Sequence, residues 1–349
     1  MRERVLIAMS GGVDSSVAAF LMQQQGCDCI GATMKLFGQE SACCSLEDVE
    51  DARRVAIRLG IPYYVFQFSD DFERMVIRPF IESYEKGDTP NPCIDCNRYL
   101  KFRHLLRRAM ELKCNRIVTG HYARIEEQGG RYLLLKGADE KKDQSYVLYN
   151  LTQEELKHTA FPLGNLTKEQ IRQIAREQGF GNAQKPDSQD ICFVPDGDYV
   201  RFMESYTGHH YPEGNFVDPD GNILGKHQGA VRYTIGQRKG LGIAFGEPRY
   251  VCAKDMAANT VTLADNDALF SRELIADDLN WIAIPHLAAP MKVLAKIRYK
   301  HKEQPAMLYP EPDGAVRVVF EEAQRAITSG QAVVFYDGDY VVGGGRIAR

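Results

Sequence analysis

Residues 7–16 read IAMSGGVDSS, and the organisation of the first half of the chain follows from this stretch. The apolar run Val5 to Met9 has the length and content of a buried strand. It passes into Ser10, Gly11, Gly12, Val13, Asp14, Ser15 and Ser16, and from Ser15 to Gln25 the pattern is helical, closed by Gly26. A strand, a glycine-bearing loop and a helix N-terminus make an anion site. Backbone N–H groups point outward, the helix dipole adds positive potential, and glycines let a phosphate come close. Neither G-x-x-x-x-G-K-[ST] nor G-x-G-x-x-G is present, so the loop lacks the lysine that grips terminal phosphates. Donors would come from the amides around Gly11 and Gly12 and the hydroxyls of Ser10, Ser15 and Ser16, with Asp14 helping to place Mg2+. The plainer alternative is a strand, a turn and a serine-capped helix.

Working outward, strand and helix patterns alternate. Cys29 to Met34 reads as a strand; Leu46, Val49, Ala52, Ala56 and Leu59 recur at helical spacing between an N-cap at Ser45 and a stop at Gly60. Tyr63 to Phe68 reads as strand, Asp70 to Tyr84 and Tyr99 to Leu112 as helices, and Arg116 to Thr119 as strand. Such alternation predicts an α/β fold, a doubly wound parallel sheet with helices on both faces, over residues 1–205. The texture then changes. Residues 206–270, with DPDGN at 218–222, read as a small, mostly β central domain. Residues 271–349 carry short alternating runs and turn signals at Asp313-Gly314 and Asp337-Gly338, which predict a C-terminal β-barrel.

The chain has 349 residues, 44% of them hydrophobic and 26% charged, with a formal charge of -4, so a polyanionic partner would have to meet a local basic patch. Nine cysteines without a secretory signal suggest reduced thiols, and no long apolar run suggests a membrane partner, so the expectation is a cytoplasmic protein. Basic runs do occur. After the pair Cys93-x-x-Cys96, a helix would bury Tyr99, Phe102, Leu105, Leu106 and Ala109 and display Lys101, Arg103, His104, Arg107 and Arg108. In MKVLAKIRYKHK, Val293, Ala295, Ile297 and Tyr299 alternate with Lys292, Lys296, Arg298 and Lys300, which puts one basic face on a strand. GQRKG adds Arg238 and Lys239 in a loop. A solvated surface is the ordinary reading of any one such run; three in an acidic chain point to a nucleic-acid track.

The heptad S-G-G-V-D-S-S resembles the PP-loop of ATP pyrophosphatases, which activate a substrate as its adenylate. Five further stretches narrow the resemblance: TPNPCIDCNRYLKF (89–102), TGHYAR (119–124), KDQSYVLY (142–149), KPDSQDICFV (185–194) and YTIGQRKGLG (233–242). With them, nearly the whole chain resembles the tRNA 2-thiouridylases, which replace the C2 oxygen of a wobble uridine by sulfur. The resemblance implies ATP held by Ala8, Met9, Ser10, Gly11, Gly12, Val13, Asp14 and Ser15, with Met34 and Gly120 near the nucleotide. It implies a flipped target base against Asn91, Pro92 and Cys93, and tRNA contacts at Lys142, Asp143, Gln144, Arg298, Tyr299 and Gln331. His121 is read as a tRNA or nucleotide contact, not as a catalyst.

In the family's pattern Cys192 carries a persulfide and Cys96 is the second thiol; both stretches are expected to be loops at one edge of the sheet. The sulfur donor would be a cysteine desulfurase, a sulfur-relay protein or sulfide. Many members carry aspartate where this chain has Cys93, so a general base at that position is in doubt and Asp95 is a substitute. Cys93, Cys96 and Cys192 are read first as three ligands of a [4Fe-4S] cluster with one open iron, and second as a persulfide site in which Cys93 is a bystander. Zinc lacks a fourth ligand. Cys27, Cys29, Cys43, Cys44, Cys114 and Cys252 are read as structural. The rivals to this function are another PP-loop ligase acting on a small molecule, and a non-catalytic RNA-binding metalloprotein.

Overall fold

The computed structural model describes residues 2–37, 46–187 and 191–348. Strands β1 (Arg4–Ala8), β2 (Asp28–Lys35), β3 (Tyr63–Gln67), β4 (Arg116–Val118) and β7 (Thr159–Ala160) form a parallel sheet in the order β3-β2-β1-β4-β7. Successive side chains leave a strand on opposite faces, and the core divides accordingly. Leu6, Ile30, Ala32 and Ile117 join one apolar cluster, Val5, Ile7, Cys29 and Val118 another. Helix α1 (Val13–Gln24) buries Val17, Ala18, Ala19 and Met22 against the second cluster. Its chain turns away at Gly26, whose φ of +83° only glycine adopts freely.

Helix α2 (Leu46–Leu59) buries Val49, Ala52, Val55 and Ala56, while Leu46 is 82% exposed and belongs to no core stripe. Ser45, Cys43 and Cys44 lie outside the described residues. The stretch expected to be a loop around Cys96 is helical. The chain is α-helical at Pro92–Asp95, π-helical at Cys96–His104 and α-helical again at Leu105–Glu111. The wider π turns rotate the buried face, so Leu100 is fully buried and Tyr99 only partly, whereas a regular α pattern puts Tyr99 inside.

The central unit is a four-stranded sheet, β8 (Gly214–Val217), β9 (Ile223–His227), β10 (Tyr250–Asp255) and β11 (Thr260–Ala264), over a small core of Phe216, Tyr233, Val251, Val261 and Leu263. Six strands follow: β12 (Phe270–Trp281), β13 (Met291–Lys296), β14 (Gln304–Pro310), β15 (Val316–Arg325), β16 (Ala332–Asp337) and β17 (Tyr340–Ile347). Pairing of β12 with β17 closes them into a barrel, as the alternating runs predict. The hairpin β5 (Ala123–Gln128) and β6 (Arg131–Lys136), from the first half of the chain, joins the barrel sheet through Leu135 opposite Tyr340.

The barrel is pressed onto the first domain. At Gly344 a Cβ would lie 2.6 Å from the Tyr149 ring, so only glycine fits. Asn280 Nδ2 donates to the carbonyls of Tyr149 and Leu151 at 2.8 and 3.0 Å, and Gln331 Nε2 to that of Thr89 at 2.6 Å. Among the described residues no helix is long and apolar enough to cross a membrane.

Candidate active site

The loop between β1 and α1 has the geometry of an anion cradle. Gly12 is the N-cap of α1, and Gly11 has a φ of +76°; a Cβ there would lie 2.3 Å from the Asp48 carbonyl oxygen. Both helix hydroxyls turn inward, Ser15 Oγ and Ser16 Oγ each donating to the Gly12 carbonyl at 3.0 Å. Ser10 N donates to Ser15 Oγ at 3.2 Å, and Ser10 itself is exposed. Asn182, which no motif singles out, donates to the Gly11 carbonyl at 2.8 Å and contacts Ser16 Oγ at 2.9 Å. Gly120 is brought against the loop: a Cβ on it would lie 2.9 Å from the backbone of Asp14 and Ser15. Ala8 ends β1, Met9 and Val13 are buried, and Met34 lies on β2, partly buried.

A lysine from a distant helix reaches the loop. Lys168, in the first turn of the helix Lys168–Glu177 behind a Thr167 capping box, places Nζ 2.8 Å from both oxygens of Asp14. Tyr122 Oη donates to the same carboxylate at 2.7 Å. Mg2+ commonly binds through one or two carboxylates and the substrate's phosphates; Asp14 is the carboxylate beside the cradle that would meet such an ion, once Lys168 has left its oxygens.

The cysteines differ in setting. Cys93 is exposed; Cys96 is buried in the same apolar cluster against which Cys192 is partly buried. No group of three His, Cys, Asp or Glu side chains among the described residues is arranged to hold a metal ion. The three cysteines therefore do not fit the expected cluster as they stand: their stretches converge on one core, but Cys93 faces solvent while Cys96 faces the interior. Burial pushes Cys29 up to about 12 and Cys114 to about 11, the behaviour of inert core thiols.

Asp95 lies on another side of the helix. It lines a cleft of about 210 Å³ with Arg98, Tyr149, Asn150, Asp278 and Arg346, a cleft that none of the three cysteines lines. Burial pushes its pKa up to about 6, against the pull of Arg98. Arg98 in turn is paired with Asp278 of the barrel at 2.5 Å. Asn91, expected against the target base, lines the same cleft.

The expected RNA contacts fall into two groups. Asn91 Oδ1 caps the Cys93 N–H at 3.2 Å, and Pro92 next to it is buried. Lys142 is partly exposed and paired with Asp187 at 2.6 Å. Tyr299 is at the surface, 36% exposed. Others are scaffold: Asp143 accepts from the N–H groups of Gly137 and Ser145 and from Ser145 Oγ, and Gln144 Oε1 accepts from Tyr122 N at 3.0 Å. Arg298 is not on an open basic face; β13 stops at Lys296, and Arg298 turns inward to donate to Ile235 O, Ala326 O and Thr328 Oγ1. His121 is buried between Phe102 and Phe161, bonded to Thr119 Oγ1 at 2.7 Å, and burial lowers its pKa well below the ordinary imidazole value. It is a neutral packing group.

Family models match three consecutive parts of the chain. Residues 3–196 match the tRNA methyl transferase HUP domain, 200–265 the tRNA methyl transferase PRC-barrel domain, and 271–347 the aminomethyltransferase beta-barrel domain. Curated relatives are similar over the full length. The tRNA-specific 2-thiouridylase MnmA of Clostridioides difficile is 53% identical over 100% of this chain and 99% of its own. Its namesake in Acetivibrio thermocellus is 54% identical over 99% of each. That of Heliobacterium modesticaldum is 54% identical over 100% of this chain and 93% of its own.

Proposed function

The chain belongs to the tRNA-specific 2-thiouridylases, and from that premise we propose that it activates the C2 oxygen of a wobble uridine with ATP and then replaces it by sulfur carried on Cys192. The activity is that of a tRNA sulfurtransferase using a PP-loop domain. One observation carries the reading of the site: Lys168 bonds both Asp14 of the phosphate loop and Asp187, five residues before Cys192, so nucleotide and sulfur segments share one charged junction.

The chemistry follows in two steps. Uridine O2 attacks the α-phosphorus of ATP, the bond to pyrophosphate breaks, and the loop amides and the start of α1 take up the leaving charge. Mg2+, when bound near Asp14, supplies charge neutralisation to the triphosphate. The terminal sulfur of a Cys192 persulfide then attacks C2 and AMP leaves with its electron pair. The Cys96 thiolate attacks Cys192 Sγ, releases 2-thiouridine and leaves a Cys96–Cys192 disulfide, which an external dithiol reduces. Flipping of the base is required, because C2 must meet both ATP and sulfur. RNA meets the rim formed by Asn91, Lys142 and Tyr299, while Asp143, Gln144, Arg298, Gln331 and His121 hold that rim in place. The outer sulfur arrives already at the persulfide level from a cysteine desulfurase or a relay protein, or from sulfide that attacks Cys192 Sγ of the Cys96–Cys192 disulfide in place of the dithiol and releases Cys96 as its thiolate.

The test is nucleoside mass analysis of unmodified tRNA after incubation with the protein, ATP, Mg2+ and a sulfur source. Formation of 2-thiouridine with stoichiometric AMP is expected. AMP without tRNA thiolation under any sulfur source would refute the proposal.

A further inference from the structure

Two carboxylates, Asp14 and Asp187, share one ammonium group. Lys168 Nζ lies 2.8 Å from each oxygen of Asp14 and 2.7 Å from Asp187 Oδ1. Asp187 Oδ2 lies 2.6 Å from Lys142 Nζ, and Arg172 reaches Oδ1 at 3.3 Å. The charges therefore run in a row, Lys142, Asp187, Lys168, Asp14, from a side chain 37% exposed to one only 12% exposed at Lys168 and on to the phosphate loop. The inner contacts are sheltered and weakly screened; the outer one is open to a competing anion. Burial alone would raise the pKa of Asp187, and Lys142 and Lys168 more than offset this, holding it below the usual carboxylate range.

In such a row each member limits what its neighbour can do. With Lys142 sharing the charge of Asp187, Lys168 divides itself between Asp187 and both oxygens of Asp14, and a carboxylate so occupied is not available to a nucleotide's counter-cation. If an RNA phosphate takes Lys142, Asp187 keeps only Lys168 and the more distant Arg172. Lys168 is then drawn outward and Asp14 is released.

Building on the function proposed above, we infer that Asp187 and Lys168 are positioning residues that couple RNA engagement at Lys142 to nucleotide binding at Asp14. The two states differ in one contact at each end: Lys142 on Asp187 or on RNA, and Asp14 on Lys168 or on the nucleotide's cation. By linkage the effect is reciprocal, RNA and ATP tightening each other by the same factor. The consequence is economy: ATP is held productively only when a target is docked.

The experiment measures the Kd of a magnesium-complexed, non-hydrolysable ATP analogue with and without saturating unmodified substrate tRNA, using the full chain. Wild type is expected to bind the analogue at least about fivefold more tightly with tRNA, the low end of ordinary coupling. Asp187→Asn and the exposed variant Lys142→Met should each bring that ratio to within about twofold of one. A merely structural Asp187 would weaken the analogue in both arms and keep the ratio, and a wild-type ratio in both variants overturns the inference. Wild type that binds both ligands and makes 2-thiouridine with a ratio of one overturns the coupling alone. Wild type that binds neither ligand overturns the function beneath it as well.

Discussion

Asn182 holds Gly11 across 171 residues of chain, its Nδ2 donating to the Gly11 carbonyl at 2.8 Å from a side chain that is almost wholly buried. The bond fixes the loop at the one residue with a left-handed φ. Removing it leaves a buried carbonyl unpaired, at a cost of about 1–3 kcal/mol. Asn182→Ala should therefore raise the KM for ATP by about tenfold, one power of ten per 1.4 kcal/mol, and lower the denaturation midpoint. Steady-state pyrophosphate release with tRNA checks the first effect and urea unfolding the second.

Gly11→Ala meets two obstacles, a positive φ and the Asp48 carbonyl 2.3 Å from its Cβ. Backbone cannot yield as a side-chain tip can, so the loop must move away from α2. ATP binding should be lost while the barrel stays folded. Calorimetric titration with an ATP analogue and near-ultraviolet circular dichroism separate the two.

The thiols should divide by function. Cys192→Ser is expected to release pyrophosphate with tRNA and form no 2-thiouridine. Cys93→Asp, changing an exposed side chain, is expected to remain active without iron. Iron analysis and nucleoside mass spectrometry on both variants decide the matter; loss of thiolation together with bound iron in Cys93→Asp would restore the cluster.

Asp95 makes stability depend on pH. Its folded pKa of about 6 lies above its unfolded value, so the folded state binds the extra proton. Stability should fall as pH rises from about 4 to 6, and the full penalty, about 2–3 kcal/mol at 1.36 kcal/mol per pKa unit, is present above that window. Asp95→Asn should match wild type near pH 4 and exceed it at pH 7.5. Denaturant titrations at the two values test the sign.

Salt dependence should report on the exposed cations of the barrel rim and not on Arg298. Lys300 is exposed, and Lys300→Ala should flatten the log-log salt slope of tRNA binding by roughly 0.7–0.9 per lost phosphate contact. Arg298→Ala should instead lower stability, because its guanidinium serves two carbonyls and a hydroxyl inside the protein.

What the sequence discloses here is local. The loop at 8–16 announces itself because strand, glycines and helix start are contiguous, and Gly26, Gly60, Gly314 and Gly338 all occur at positive φ where turns or caps are expected. Lys168 and Asn182 do not announce themselves, since their contacts span 154 and 171 residues. The helix is legible from Tyr99 onward but not through Cys96, where the sequence reads as a loop, and its phase is missed because a π segment inserts extra residues per turn that no 3.6-residue pattern anticipates. Arg298 shows the same limit in a strand. Alternation places it outward only if the strand continues, and the strand ends two residues earlier.

The hairpin that the first half of the chain lends to the barrel imposes an order on biosynthesis. Strand β6, with Leu133, Leu134 and Leu135 all buried in the finished protein, leaves the ribosome long before its partner at Tyr340 exists. At 5–20 residues per second the intervening 204 residues take about 10–40 s to make. For that interval β6 is paired with β5 on one side only, and its other edge waits for β17. The nascent protein must be shielded there, by its own first domain or by a chaperone, and expression at low temperature should prolong the exposure while weakening the hydrophobic attraction that makes it dangerous.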